Sequence, residues 1–295
     1  MNSSQRFAKV IAVPVLLVSA MLVSAENAPG QKSGAIASGE KKEYRFKVKH
    51  HASVTIDNQY GPISVKAGNE KEVVVTALTN SDKVEIDQGK TGNRVGITSH
   101  LLPGANVNSG RVQYEVLVPA DANVTLRSTS GQLHVEKLRG DIQLESSSDI
   151  DVRDLSAGHV HIKTLNGPVT LTNVRDGHVE ITSVSGDVNL NAVNGPLVQV
   201  NSNTGKIRYD GDFGGGGDYN FTSHSGDIEA MAPSYASIDV TARSEQGKVE
   251  NDFPLQPKHT TFLMKAGSAF AGTMGEAASS VKLFSFSGKI HLKKR

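Results

Sequence analysis

Apolar and polar residues alternate in short runs along most of this chain, and glycine punctuates the runs at regular intervals. One pattern recurs: a small polar residue, a glycine, any residue, then two apolar residues separated by one. Copies are Ser130-Gly131-Gln132-Leu133-His134-Val135, Asn166-Gly167-Pro168-Val169-Thr170-Leu171, Ser185-Gly186-Asp187-Val188-Asn189-Leu190 and Thr204-Gly205-Lys206-Ile207-Arg208-Tyr209. Ser147-Ser148-Asp149-Ile150-Asp151-Val152 fits with serine in the glycine position, and further copies follow at Gly226, Gly247 and Gly288. Positions 131, 148, 167, 186, 205, 226 and 247 are separated by 17, 19, 19, 19, 21 and 21 residues. A second series, Gly140, Gly158, Gly177 and Gly195, lies between them, each followed by an apolar pair such as Ile142/Leu144, Val160/Ile162, Val179/Ile181 or Val198/Val200. Leu138, Leu155, Leu165, Val174, Val184 and Val193 add a third apolar position that closes many of the half-turns.

Alternation with a period of two is the signature of strands that bury one face. Val169 and Leu171 therefore point inward and Thr170 outward. Glycine before each strand suits a corner that needs positive φ or a close backbone approach. Because the apolar pair always follows the glycine in the same chain direction, the copies predict parallel stacking, with Val169, Val188 and Ile207 in one column. The predicted fold is all-β: a single-stranded parallel β-helix, or β-solenoid, with turns of about 19 residues, each made of two half-turns. An antiparallel sandwich is the competing architecture, since Asn166-Gly167 and Asn194-Gly195 are also hairpin signals.

The organisation expected along the chain is a signal peptide over 1–25, a flexible linker over 26–39, a β-rich N-terminal cap over 40–120 and solenoid repeats over 121–295, continuous with the cap. The signal rests on Arg6 and Lys9, an apolar stretch over 10–23 and the small-residue site Val23-Ser24-Ala25, which puts the mature start at Glu26. That stretch is shorter than the roughly 20 residues a membrane-crossing helix needs and contains Pro14. No later segment is long and apolar enough to span. Localisation is thus expected to be periplasmic, cell-surface or secreted.

Three stretches resemble the bacterial putative-adhesin β-strand-repeat family, a domain of unknown function found on exported proteins. They are Val54-Thr55-Ile56-Asp57-Asn58-Gln59-Tyr60-Gly61-Pro62-Ile63-Ser64-Val65, then Tyr114-Glu115-Val116-Leu117-Val118-Pro119-Ala120, and the run Val124-Thr125-Leu126-Arg127-Ser128-Thr129-Ser130-Gly131 that leads into the repeats. The resemblance covers about residues 44 to 292. It implies a right-handed β-helix-like fold and a role in adhesion. It supplies no catalytic residues.

Charge narrows the function further. Without Arg6 and Lys9 the formal net charge falls from +1 to −1, so no overall field draws the mature chain to nucleic acid or anionic lipid. Cysteine and tryptophan are absent, which removes disulfides, thiol lipidation and the strongest sugar-stacking ring. A polysaccharide-cleaving β-helix enzyme, the alternative from another class, needs clustered carboxylates on one face. Outward acids stand at Asp141, Asp149, Asp151, Asp154, Asp187 and Asp227, but Asp149, Asp187 and Asp227 occupy the position just after a corner, where a short side chain bonds local backbone N–H groups. His159 and His178, 19 residues apart, stack in this reading, with His161 and Glu180 nearby; a divalent-ion site competes there with a plain solvent-facing polar ladder. Asp210 to Asp218, around Gly214-Gly215-Gly216-Gly217, resembles a calcium-binding nonapeptide but occurs once and with its aspartate displaced, so a flexible loop is expected. Lys41, Lys42, Lys47 and Lys49, with His50 and His51, form a basic cluster, as do Lys293, Lys294 and Arg295. No catalytic, cofactor-binding or metal residues are therefore assigned. The expected role is an exported, non-catalytic interaction or structural module whose partner is a protein or polysaccharide of the envelope or surface.

Overall fold

The computed structural model describes residues 39–258 and 267–295. The expected signal peptide, and nearly all of the expected linker, lie outside them. The protein is all-β with mixed parallel and antiparallel pairing. Most strands fall into two parallel ladders, which the chain visits alternately, and a pair of consecutive strands forms one rung. Among the described residues each ladder has ten strands.

Ladder I contains, in spatial order, Arg94–Leu101, Ser53–Tyr60, Asn123–Ser130, Ile142–Ser146, the second half of Ile150–Thr164, the second half of Val169–Ser183, Leu197–Ser202, Asp218–Ser223, Ser279–Ser285 and Ile238–Ser244. Ladder II contains the strand that follows each of these, from Val112–Val118 through Leu133–Glu136 and Val188–Val193 to Ile290–Lys294 and Val249–Asn251. Rungs are numbered 1 to 10 in this order.

The middle rungs follow the sequence repeat. Val169 pairs with Val188 and Val188 with Ile207, all parallel. The uniform 19-residue turn, however, is a property of the middle only. Ile142 pairs with Val160 at a step of 18, Val160 with Val179 at 19, Leu197 with Asp218 at 21, and Ile228 with Ile290 at 62. The large steps arise because both ends of the stack are built out of order. Ser53–Ala67 forms rung 2, and Arg94–Val118, further along the chain, forms rung 1 outside it. At the other end Ile238–Asn251 forms rung 10, and the last strands of the chain fit between it and rung 8. Parallel edges cannot close on themselves, and antiparallel strands cover most of them. Val84–Thr91 pairs with rung 1 of ladder I, Glu72–Thr79 with rung 1 of ladder II, and Ala269–Met274 with rung 10 of ladder I.

The inward residues of both ladders form one continuous apolar cluster, in which Val169, Leu171, Val188, Leu190 and Ile207 are fully buried. Each fully buried Val, Leu or Ile side chain contributes about 1.5 to 3 kcal/mol. Of the third apolar positions, Leu138, Leu155, Val174 and Val193 are buried. Leu165 and Val184 are not, at 55% and 41% exposure. They sit one residue beyond an inward-facing polar position, Thr164 and Ser183, so alternation turns them outward.

The corner glycines owe their place to packing and not to an unusual backbone. None of Gly131, Gly167, Gly186, Gly205, Gly226, Gly247 and Gly288 has positive φ. A Cβ on any of them would instead come within 3.0 Å of the backbone of the neighbouring rung: Gly61 for Gly131, Gly167 for Gly186, Gly186 for Gly205 and Gly288 for Gly247. Beside this glycine column runs a column of buried small polar residues, Ser128, Ser146, Thr164, Ser183, Ser202, Ser223, Ser285 and Ser244. Most of them fasten a corner. Thr164, Ser183 and Ser202 donate to the carbonyls of Gly167, Gly186 and Gly205 at 2.9, 2.6 and 2.8 Å, and Ser223 Oγ accepts from the Gly226 N–H at 2.8 Å.

The stretch from Asp210 to Asp218 is anchored in the core. Phe213, at φ 59, is fully buried, stacks on Tyr209 at 4.5 Å between ring centroids and meets Tyr219 edge-on at 5.0 Å. Tyr209 donates to Val193 O and accepts from the Phe213 N–H, so the loop is a plug over the rung 7 to rung 8 junction.

Candidate functional site

Where ladder I bends into the corner, a cleft of about 680 Å³ runs along the stack axis across rungs 1 to 6. Its floor is the start of the polar column: Ser99, Asn58, Ser128, Ser146 and Thr164. On one side lie the outward residues just before that column, Asp57, Arg127, Glu145 and Lys163, which are register partners from rung to rung. On the other lie those just after it, Gln59, Thr129, Ser147, Leu165 and Val184. The strand period of two thus sets both walls.

Two polar atoms of the floor have no partner. Asn58 is 2% exposed, and its Nδ2 donates to Gly61 O at 3.0 Å and Val112 O at 2.8 Å. That double bond to the backbone fixes the amide, and its Oδ1 is left buried without a donor. Ser128 Oγ, 7% exposed, is likewise unpaired, although its equivalents on later rungs are bonded. A buried polar group without a hydrogen bond costs about 1 to 3 kcal/mol, which a ligand donor can recover. Ser99 Oγ is satisfied by Tyr114 Oη at 2.7 Å, and burial pushes that phenol up to about 12.

The wall charges alternate in sign and are loosely paired: Arg127 lies 3.6 Å from Asp57 Oδ1 and 3.7 Å from Glu145 Oε2. Arg127 stands between Asp57 and Glu145 in the register of the ladder, so each carboxylate faces a cation and not the other carboxylate.

The other sequence candidates disperse. Asp187 Oδ1 and Asp227 Oδ1 accept from the backbone N–H of Lys206 and Lys289 on the adjacent rung, at 2.8 and 2.7 Å, and Asp141 does the same for His159 N at 2.9 Å. That bond holds the Asp141 carboxyl below its ordinary range. These aspartates clamp rung to rung and do not cap their own corner. Asp149 bonds the Gln132 side chain, Asp151 bonds His134 and Arg153, and Asp154 bonds Asn173. His159 and His178 do meet, edge to face at 4.9 Å, and His161 Nδ1 lies 3.4 Å from Glu180. Among the described residues, though, no three His, Cys, Asp or Glu side chains converge as a metal site requires. The basic clusters are partly neutralised: His50 pairs with Asp121, Lys293 with Glu229 and Arg295 with Asp210.

The sequence matches the model of the Toastrack DUF4097 family over residues 51–293. The chain belongs to this family. The match takes in both the out-of-order ends and the regular middle of the Toastrack stack. Among curated proteins no match is found. Solved structures that resemble it include a putative adhesin from Bacteroides fragilis, 12% identical over 86% of this chain and 97% of its own, with a TM-score of 0.48. Another, from Parabacteroides merdae, is 11% identical over 87% of this chain and 98% of its own, with a TM-score of 0.43. No helix among the described residues of this Toastrack chain is long and apolar enough to cross a membrane.

Proposed function

We propose that this Toastrack protein is an exported, non-catalytic interaction module of the bacterial envelope or surface, an adhesin in the broad sense, that engages its partner through the ladder I cleft. The observation that carries the reading is the pair of buried, unpartnered atoms, Asn58 Oδ1 and Ser128 Oγ, on the floor of a cleft that crosses six rungs. The expected signal peptide supports export. The arginine-paired state of Asp57 and Glu145 supports binding without cleavage.

The test is incubation of the purified mature chain with envelope and plant polysaccharides, followed by assays for reducing ends and for unsaturated products. No release is expected; release that disappears in Glu145→Gln would establish the enzyme reading in its place. Fractionation of cells that express the full-length chain with a C-terminal tag tests export. A cytoplasmic, unprocessed product would overturn it.

A further inference from the structure

We infer that the ladder I cleft recognises an extended, uncharged oligosaccharide. This rests on the reading of the cleft as the binding site. Three observations select the class.

The first is the kind of polar group present. Asp57, Asn58, Gln59, Arg127 and Glu145 bring five planar polar side chains to the wide end of the cleft. Carboxylates, amides and guanidinium present paired acceptors or donors in one plane, which matches the adjacent hydroxyls of a sugar ring. Asn58 Oδ1 needs a donor, and every hydroxyl is one.

The second is charge. Asp57, Arg127, Glu145 and Lys163 sum to zero and alternate along the axis, so a polyanion or polycation would meet repulsion at every second rung. The third is the state of the backbone. The ladder I strands under the cleft at rungs 2 to 5 are paired on both sides, so no N–H or C=O is free to receive a peptide as an added strand. At the far end Leu165 and Val184 offer an apolar strip, against which the C–H face of a sugar can lie. Six rungs at the spacing of paired strands make a track about 24 Å long, enough for several sugars in line.

The experiment is an array of neutral, acidic and basic oligosaccharides of graded length, probed with the mature chain and followed by calorimetry. Neutral oligosaccharides should bind, with affinity rising with length until the track is full and little change between low and physiological salt. Glu145→Ala and Gln59→Ala, both exposed side chains, should each weaken binding about tenfold, the worth of a hydrogen bond to a charged or well-held group. Leu165→Asp should do the same at the far end. Thr172→Ala and Asn191→Ala on ladder II should leave it unchanged. Binding confined to charged sugars, or lost as salt rises, overturns the uncharged class but keeps the cleft if the cleft variants abolish it. Binding of an extended peptide that the cleft variants abolish has the same meaning. Neutral sugar binding that the cleft variants do not touch overturns the site itself, and so does an array on which nothing binds while envelope polymers are retained equally by wild type and by Glu145→Ala.

Discussion

Gly186→Ala is the sharpest probe of how the stack is held together. The added methyl would lie 2.6 Å from Gly167 C and closer still to its carbonyl oxygen, where real Cβ atoms are not found. The corner has no void to take it, so rungs 5 and 6 must separate locally. Overpacking of this kind costs about 1 to 3 kcal/mol. The separation also strains the Ser183 Oγ to Gly186 O bond at 2.6 Å and the Val169 N to Asp187 O bond at 2.8 Å, each worth about 1 kcal/mol net. The expected loss is therefore about 3 to 5 kcal/mol. Gly96→Ala is the control, because a Cβ there meets nothing within 4 Å and its φ is not positive. It should be neutral, or stabilising by up to about 1 kcal/mol, through reduced freedom of the unfolded chain. Urea unfolding followed by circular dichroism gives both values, and amide exchange should show the Gly186→Ala loss centred on rungs 4 to 7. A Gly186→Ala change within about 0.5 kcal/mol of wild type, or a Gly96→Ala loss of equal size, would refute the close-approach account of the glycine column.

Three further outcomes follow from the same geometry. Val188→Asp buries an unpaired carboxylate among Val169 and Ile207 and should cost several kcal/mol, whereas Asn189→Asp, on the outward side, should be nearly silent in thermal melts; equal melts would mean the two faces are reversed. Phe213→Ala should cost about 3 to 5 kcal/mol and raise protease cleavage near residues 210–218, against an unchanged digestion pattern if the loop does not plug the core. Burial pushes the phenols of Tyr114 and Tyr219 up to about 12, so their contribution to stability is complete below pH 10, the unfolded value, and is lost as pH rises from 10 towards 12. An absorbance titration should show these two ionising only as the protein unfolds at alkaline pH; ionisation of all six tyrosines near pH 10 with the fold intact would contradict it.

What could be read from the chain was what repeats locally. The apolar pairs after Gly131, Gly167, Gly186 and Gly205 are buried and in register because one period of two and one period near 19 determine both facts. The out-of-order rungs could not be read this way. Ser53–Tyr60 and Arg94–Leu101 pair across an intervening excursion that carries no repeat, and the last strands pair with partners 62 residues back. The buried polar column does carry a signal in the sequence: Ser or Thr stands three residues before Gly131, Gly167, Gly186, Gly205, Gly226, Gly247 and Gly288, and this spacing turns Leu165 and Val184 outward. The cleft left no motif, because Asp57, Arg127, Glu145 and Lys163 come from four separate strands and converge only through lateral pairing. Asn58 and Ser128 lie inside stretches that carry the family resemblance, but only the structure shows that their polar atoms lack partners.

The placement of the last strands between rungs 8 and 10 also sets an order of events in time. Ser279–Lys294 follows rung 10 in the chain, yet it occupies an interior position, bonded on both sides. Rung 10 has no neighbouring rung to stack on until those residues are in place, so rungs 9 and 10 complete the stack together. Long-range closures of this kind are slow. Once those strands are in, the two ladders are locked from within by a segment that lies later in the chain than the rung it supports.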